Sequence, residues 1–165
     1  YKIIGTDEDI LTLSHKTDYF LITIGQIGTS SKREKIYHFL IKNNLKTTCI
    51  ISPFSVVSKN AIIEPGTIVM HHAVINSSAK IGKCSIINTK ALIEHETQIG
   101  DFCHISTGAI INGGVVVEKN CFIGSNSTVN LGTRIHEKTI IASSSLVTKS
   151  INKSGVYKGV PVSVF

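Results

Sequence analysis

From Ile51 the chain repeats with a period of six: Ile51, Val57, Ile63, Val69, Ile75 and Ile81 open a series of Ile or Val residues that runs in unbroken phase to Ile135, Ile141 and Val147. Four residues after each aliphatic stands a small residue, from Ser55, Ala61 and Thr67 to Thr139 and Ser145, with Val115 and Ile151 the larger members. Six matches neither the 3.6-residue period of an amphipathic helix nor the two-residue alternation of a half-exposed strand. It matches a parallel β-helix in which three hexads close one triangular coil. The aliphatic then points into the prism and the small residue fills the space near each turn. Coils stack one strand spacing apart, so residues eighteen apart lie above one another, and residues 51–147 make a prism about 27 Å long. No hexad carries an inserted loop.

Residues 1–50 read differently. The apolar run at residues 19–24, ending at Gly25, has the composition of a strand buried on both faces. Ser31 and Glu34 have capping-box spacing, and Ile36, Phe39 and Leu40 give the helix that follows an apolar stripe. Residues 47–50 suit a further strand, which makes a β-α-β fragment, a partial Rossmann-like segment. The Gly25, Gln26, Ile27, Gly28 turn carries no dinucleotide fingerprint. The expected organisation is therefore mainly β: 1–50 a partial α/β segment, 51–150 the β-helix and 151–165 a tail that caps the last coil, where an open end would expose strand edges and core.

Composition narrows the function classes. The net charge of +6 suits phosphorylated small molecules, but Lys and Arg are scattered and aromatics few, which argues against a nucleic-acid surface. No eighteen-residue apolar run and no basic-then-apolar leader is present, so the expectation is a cytoplasmic protein with no membrane span, whose opening on Tyr1 rather than Met leaves room for an upstream segment. Cys49, Cys84, Cys103 and Cys121 lack paired spacing, and Cys103 and Cys121, eighteen apart, are expected to stack inside the prism as inert fillers.

A prism without loops leaves only corners and outer faces for chemistry. Of the seven histidines, His15 falls in an expected loop and His38 on the helix; His71 and His72 are adjacent, yet Thr89 and Lys90 one coil above are not metal ligands, and no metal is expected. His95 stands between Glu94 and Glu96, and a carboxylate within reach of one ring nitrogen makes the other a proton acceptor. One coil above it lies Gly113, whose missing side chain leaves space for a substrate. Thr89, Thr107, Ser125 and Ser143 form a line of small residues that either reflects turn preference or makes a groove for an extended ligand.

The array resembles the hexapeptide-repeat acyltransferases. The stretches Ile87, Asn88, Thr89, then Ile93, Glu94, His95, Glu96, then Ile99, Gly100, Asp101, Phe102 and His104 are similar to the sialic acid O-acetyltransferase type of sugar acyltransferase, a group that includes N-acetyltransferases of UDP-4-amino-sugars and of GDP-perosamine. The resemblance spans almost the whole chain, including the closing Gly159, Val160 and Pro161. It implies a left-handed coil, a homotrimer and acetyl-CoA bound between neighbouring prisms. It further implies His95 as general base, Glu96 as its orienting partner, His104 in contact with the cofactor near the thioester, and Asn112, Gly113, Ser125 and Ser143 along the CoA path; in the expected mechanism backbone amides near Gly113 and the His104 side chain stabilise the developing oxyanion. The implied reaction is acetylation of an amino group of a nucleotide-linked sugar in surface glycan synthesis; O-acetylation of a sugar hydroxyl, a zinc hydrase of the same fold and a non-catalytic scaffold are the alternatives. In two places the chain departs from the family: its glycine-rich nucleotide-holding segment has no counterpart, and Ser106-Thr107 stands where many members carry Ser-Pro.

Overall fold

In the computed structural model, residues 2–17 and 19–164 are described; Tyr1, Asp18 and Phe165 lie outside them. The six-residue period becomes a parallel β-solenoid of two-residue strands arranged as three sheets. The first face stacks Ile50–Ile51, Ile68–Val69, Ile86–Ile87, His104–Ile105, Phe122–Ile123 and Ile140–Ile141. The second runs from Val56–Val57 through Leu92–Ile93 and Ile110–Ile111 to Leu146–Val147, and the third from Ile62–Ile63 through Gln98–Ile99 to Arg134–Ile135. Each strand pairs with the one eighteen residues on, Ile93 with Ile111 and Ile105 with Ile123, as the spacing predicts.

The inward aliphatic row is buried from Val69 to Val147, whereas Ile51 is 45% exposed because nothing covers the first coil. The small row is more than filler. Thr67, Ser85, Thr97 and Ser127 each donate a hydroxyl hydrogen to the carbonyl fifteen residues on (2.7 to 3.0 Å), and the Cys103 and Cys121 thiols approach the Glu118 and His136 carbonyls at 3.0 and 3.1 Å. Small polar side chains are thus tolerated inside because most are paired within reach of the neighbouring coil, the buried Thr139 hydroxyl being an exception. Burial raises the Cys103 thiol pKa well above its ordinary value, so this residue is an inert part of the core.

Each corner from Gly66 to Ser144 places one residue in the left-handed region, including Lys90 (φ 60°), Glu96 (φ 58°) and Phe102 (φ 56°). Each such residue costs roughly 1–2 kcal/mol when it is not glycine. Backbone bonds between coils oppose that cost at the corners, as in Glu96 N–H to Ser77 O (3.0 Å) and Gly114 N–H to His95 O (2.9 Å).

The N-terminal segment departs from expectation. Residues 19–24 form no strand: only a single parallel bridge joins Phe20 to Thr47, with Phe20 N–H donating to Lys46 O (2.8 Å) and Thr48 N–H to Phe20 O (3.2 Å). An apolar run needs a partner along its length to become a strand, and only residues 46–48 run beside it; the Rossmann-like character of this segment therefore rests on sequence alone. The helix Ser31–Lys42 is present, but its cap is Ser30, one residue before the expected box, with the Ser30 hydroxyl bonded to the Glu34 carboxylate. Ile22 and Leu40 pack with Cys84 and Phe102 of the solenoid corner between third and first faces, which fixes the helix to the prism flank. His15 lies in a short 3-10 helix rather than a loop. At the other end Val156–Lys158 continues the first face and turns back in an antiparallel pair with Ser163–Val164, while Tyr157 and Val162 pack on the core.

Candidate active site

The corner between second and third faces carries Ser77, His95, Gly113 and Leu131 in stacked positions, each following a second-face strand. His95 Nδ1 lies 3.3 Å from Glu96 Oε2. A carboxylate accepts, so Nδ1 bears the hydrogen and Nε2 carries the lone pair. The left-handed backbone of Glu96 turns its side chain back toward the preceding imidazole. Glu94 does not touch the ring. It accepts from Asn76 Nδ2 (2.9 Å) and from the His95 backbone N–H (3.3 Å), and so braces the turn.

Gly113 provides room, but for the imidazole itself. A Cβ at this position would sit 2.7 Å from both Cε1 and Nε2 of His95. The Cε1–Nε2 edge of the ring lies over the glycine and occupies the space expected for substrate, so a substrate must reach Nε2 from outside the corner. Asn112, beside Gly113, donates from Nδ2 to Val129 O (3.0 Å), which ties this coil to the next.

His104 sits on the first face, the side of the triangle opposite the His95 corner, so one chain does not bring the two histidines together. Its ring stacks edge-on against Phe122 (5.3 Å) one coil above. Nδ1 is 3.0 Å from the Gln26 carbonyl and must be the donor there. Asn88 Oδ1 accepts from the Thr89 N–H (2.7 Å), which leaves Asn88 Nδ2 to donate to His104 Nε2 (3.2 Å). Burial lowers the His104 pKa from its ordinary 6.5, so the ring is neutral with its single N–H engaged. In this arrangement both ring nitrogens are engaged within the chain, Nδ1–H with the Gln26 carbonyl and Nε2 with the Asn88 amide.

Ser125 and Ser143 occupy the corner between first and second faces with Thr89 and Thr107. Ser125 Oγ bonds Ser106 Oγ (2.9 Å), and Ser143 is exposed. His71 and His72, on the same corner, pack around Phe54 at 5.7 and 6.2 Å; among the described residues no group of three His, Cys, Asp or Glu side chains could hold a metal. Sequence reasoning missed Gln26, Arg33 and Asn76. Asn76, eighteen residues before Glu94, was legible from the stacking rule, whereas Gln26 meets His104 across 78 residues that no local pattern connects.

Comparison with known proteins fits this geometry. The family described as bacterial transferase hexapeptide (six repeats) matches residues 96–131, and the hexapeptide repeat of succinyl-transferase matches residues 114–149. No curated protein matched. Among solved structures, PerB from Caulobacter crescentus in complex with CoA and GDP-perosamine is 27% identical, with a TM-score of 0.93 over 98% of this chain and 77% of that one. WeeI from Acinetobacter baumannii AYE is 25% identical, with a TM-score of 0.84 over 94% and 76%. The acetyltransferase domain of PglB from Neisseria gonorrhoeae FA1090 in complex with acetyl coenzyme A shares the fold at 24% identity, with a TM-score of 0.93 over 100% and 79%. No helix among the described residues is long and apolar enough to cross a membrane.

Proposed function

We propose that this chain, a hexapeptide-repeat sugar acyltransferase, transfers the acetyl group of acetyl-CoA to an amino group of a nucleotide-linked amino sugar, in cytoplasmic synthesis of a surface glycan. The observation that carries the reading is the His95 imidazole held over Gly113, half-exposed, with Nδ1–H on Glu96 and the Nε2 lone pair left without a partner among the described residues. PerB, whose structure holds CoA and GDP-perosamine, supports the choice of acetyl donor and of acceptor class.

The chemistry follows from these residues. The sugar amine attacks the thioester carbonyl as His95 Nε2 takes its proton, and Glu96 stabilises the imidazolium that forms. The tetrahedral oxyanion is met by backbone amides near Gly113, and its collapse expels the CoA thiolate, which takes up the proton given back by the His95 imidazolium. The buried thiols are unsuited to carry the acetyl group, and no serine is paired with His95, so the transfer is direct.

The site belongs to an assembly. First-face residues Ile68, Phe122 and Ile140 and second-face residues Val74, Leu92, Ile110 and Leu146 are apolar at outward positions, while the third face mixes Lys80, Gln98 and Arg134 with Ile62 and Val116. A homotrimer of left-handed prisms covers the apolar faces and lets His95 of one copy approach His104 of another, with Asn112, Gly113, Ser125 and Ser143 along the CoA path. In this scheme residues 1–50 are a partial nucleotide-sugar-binding segment, 51–150 the acyltransferase body and 151–165 the cap. The test is CoA release from acetyl-CoA against a panel of UDP-4-amino-sugars, GDP-perosamine and sialic acids, followed by mass spectrometry of the product. N-acetylation of one amino sugar is expected; transfer to sialic acid hydroxyls alone overturns the choice of acceptor, and no CoA binding overturns the enzyme.

A further inference from the structure

Arg33 is 1% exposed, a guanidinium inside the protein whose hydrogen-bond partners among the described residues are carbonyl and amide oxygens rather than carboxylates. Burying a cation in this way is costly unless its donors are all directed at oxygens. Nη1 donates to the Ile24 carbonyl (3.1 Å), and Nη2 donates to the Phe102 carbonyl (2.8 Å) and to the side-chain oxygen of Gln26; Nε has no partner. Gln26, itself buried, has its amide Nε2 3.4 Å from the Cys121 carbonyl. The backbone carbonyl of this same residue receives the His104 Nδ1–H. A residue held at its side chain from two directions thus presents a fixed acceptor to the ring.

We infer that Gln26, clamped by Arg33, is a positioning residue that fixes the orientation and the Nδ1–H tautomer of His104, so that the N-terminal segment sets the shape and polarity of the acetyl-donor site on the first face. The inference rests on the acetyltransferase reading for its kinetic consequence, since it takes His104 to line the CoA site. Its structural content stands without it. Asn88 reinforces the same tautomer from the other side, because the Thr89 N–H holds its oxygen and leaves only its amide to face Nε2. Both ring nitrogens are therefore engaged within the chain, Nδ1–H by the Gln26 carbonyl and Nε2 by the Asn88 amide, which holds the imidazole in one tautomer and one orientation. Removing the Gln26 side chain leaves its carbonyl in the chain but frees the loop that aims it, so a structural role confined to the helix would not reach the imidazole.

The experiment is nitrogen NMR of the histidine rings in the full chain, with His104 assigned by comparison with His104→Gln, alongside steady-state kinetics of the wild type, Gln26→Ala and Gln26→Glu. In the wild type His104 is expected as one neutral tautomer protonated on Nδ1. Gln26→Ala is expected to give a mixture of tautomers and a KM for acetyl-CoA raised about three- to tenfold, the weight of one positioned hydrogen bond, with kcat little changed. Gln26→Glu, which keeps an acceptor for Arg33, is expected to restore most of the single tautomer. A wild-type ring protonated on Nε2, or a folded Gln26→Ala with wild-type ring shifts, overturns the inference. If acetyl-CoA does not bind the wild type, the acetyltransferase reading fails while the ring shifts still decide the positioning role.

Discussion

Replacing Gly113 by Ala tests the corner geometry with the base left in place. The added Cβ would lie 2.7 Å from His95 Nε2 and Cε1 and 3.3 Å from Cδ2. Carbon contacts settle near 3.5–4.0 Å, so the exposed ring must lift by about 1 Å rather than the buried coil yield. Gly113 is not among the positive-φ positions, so alanine suits its backbone, and a compatible Gly→Ala change stabilises by about 0.4–1 kcal/mol through the unfolded chain. The midpoint of thermal unfolding should therefore hold or rise. Catalysis should not: a displacement near 1 Å of a reacting group costs on the order of 10²-fold. The assay is acetyl transfer at saturating acceptor, with CoA affinity measured separately by calorimetry. A Gly113→Ala protein that is folded, binds CoA and turns over at the wild-type rate refutes the placement of His95 Nε2 at the reacting atom.

Other expectations follow from the same geometry. Glu96→Gln keeps the left-handed residue nearly isosteric but removes the carboxylate; because the pair is more than half exposed, the loss of kcat should be about tenfold rather than larger, as measured by initial rates. His104 has a lowered folded pKa, so the unfolded chain binds more protons between the folded value and about 6.5; the stability tied to its neutral ring is full above that range and is lost as pH falls through it. Urea unfolding of His104→Gln between pH 7 and pH 5 should show a shallower decline than the wild type, and parallel declines would contradict the neutral buried ring. In the proposed trimer, where the site would draw on two copies, Ile110→Asp on the second face should give monomers in sedimentation velocity and abolish acetyl transfer with His95 untouched.

The solenoid was legible because each coil repeats one rule: Ile87, Ile105 and Ile123 occupy equivalent inward positions, and the pairing register reproduces the eighteen-residue spacing. The rule assumes a neighbour above and below, and it weakens where one is missing, as at Ile51. Residues 19–24 misled because strand composition was present without a partner strand. The pairing of His95 with Glu96 could be read from adjacency, and so could the placement of Gly113 one coil on, although its space serves the ring and not the ligand. The surroundings of His104 could not: Gln26 and Arg33 approach it through the docking of a helix on the prism flank, a long-range packing event with no period.

The most direct measurement of the proposed mechanism is the rate of acetyl transfer by His95→Ala beside its affinity for acetyl-CoA. Loss of the general base predicts a kcat lower by roughly 10²–10⁴-fold with acetyl-CoA affinity nearly intact. An unchanged kcat would remove His95 from the chemistry and the mechanism with it.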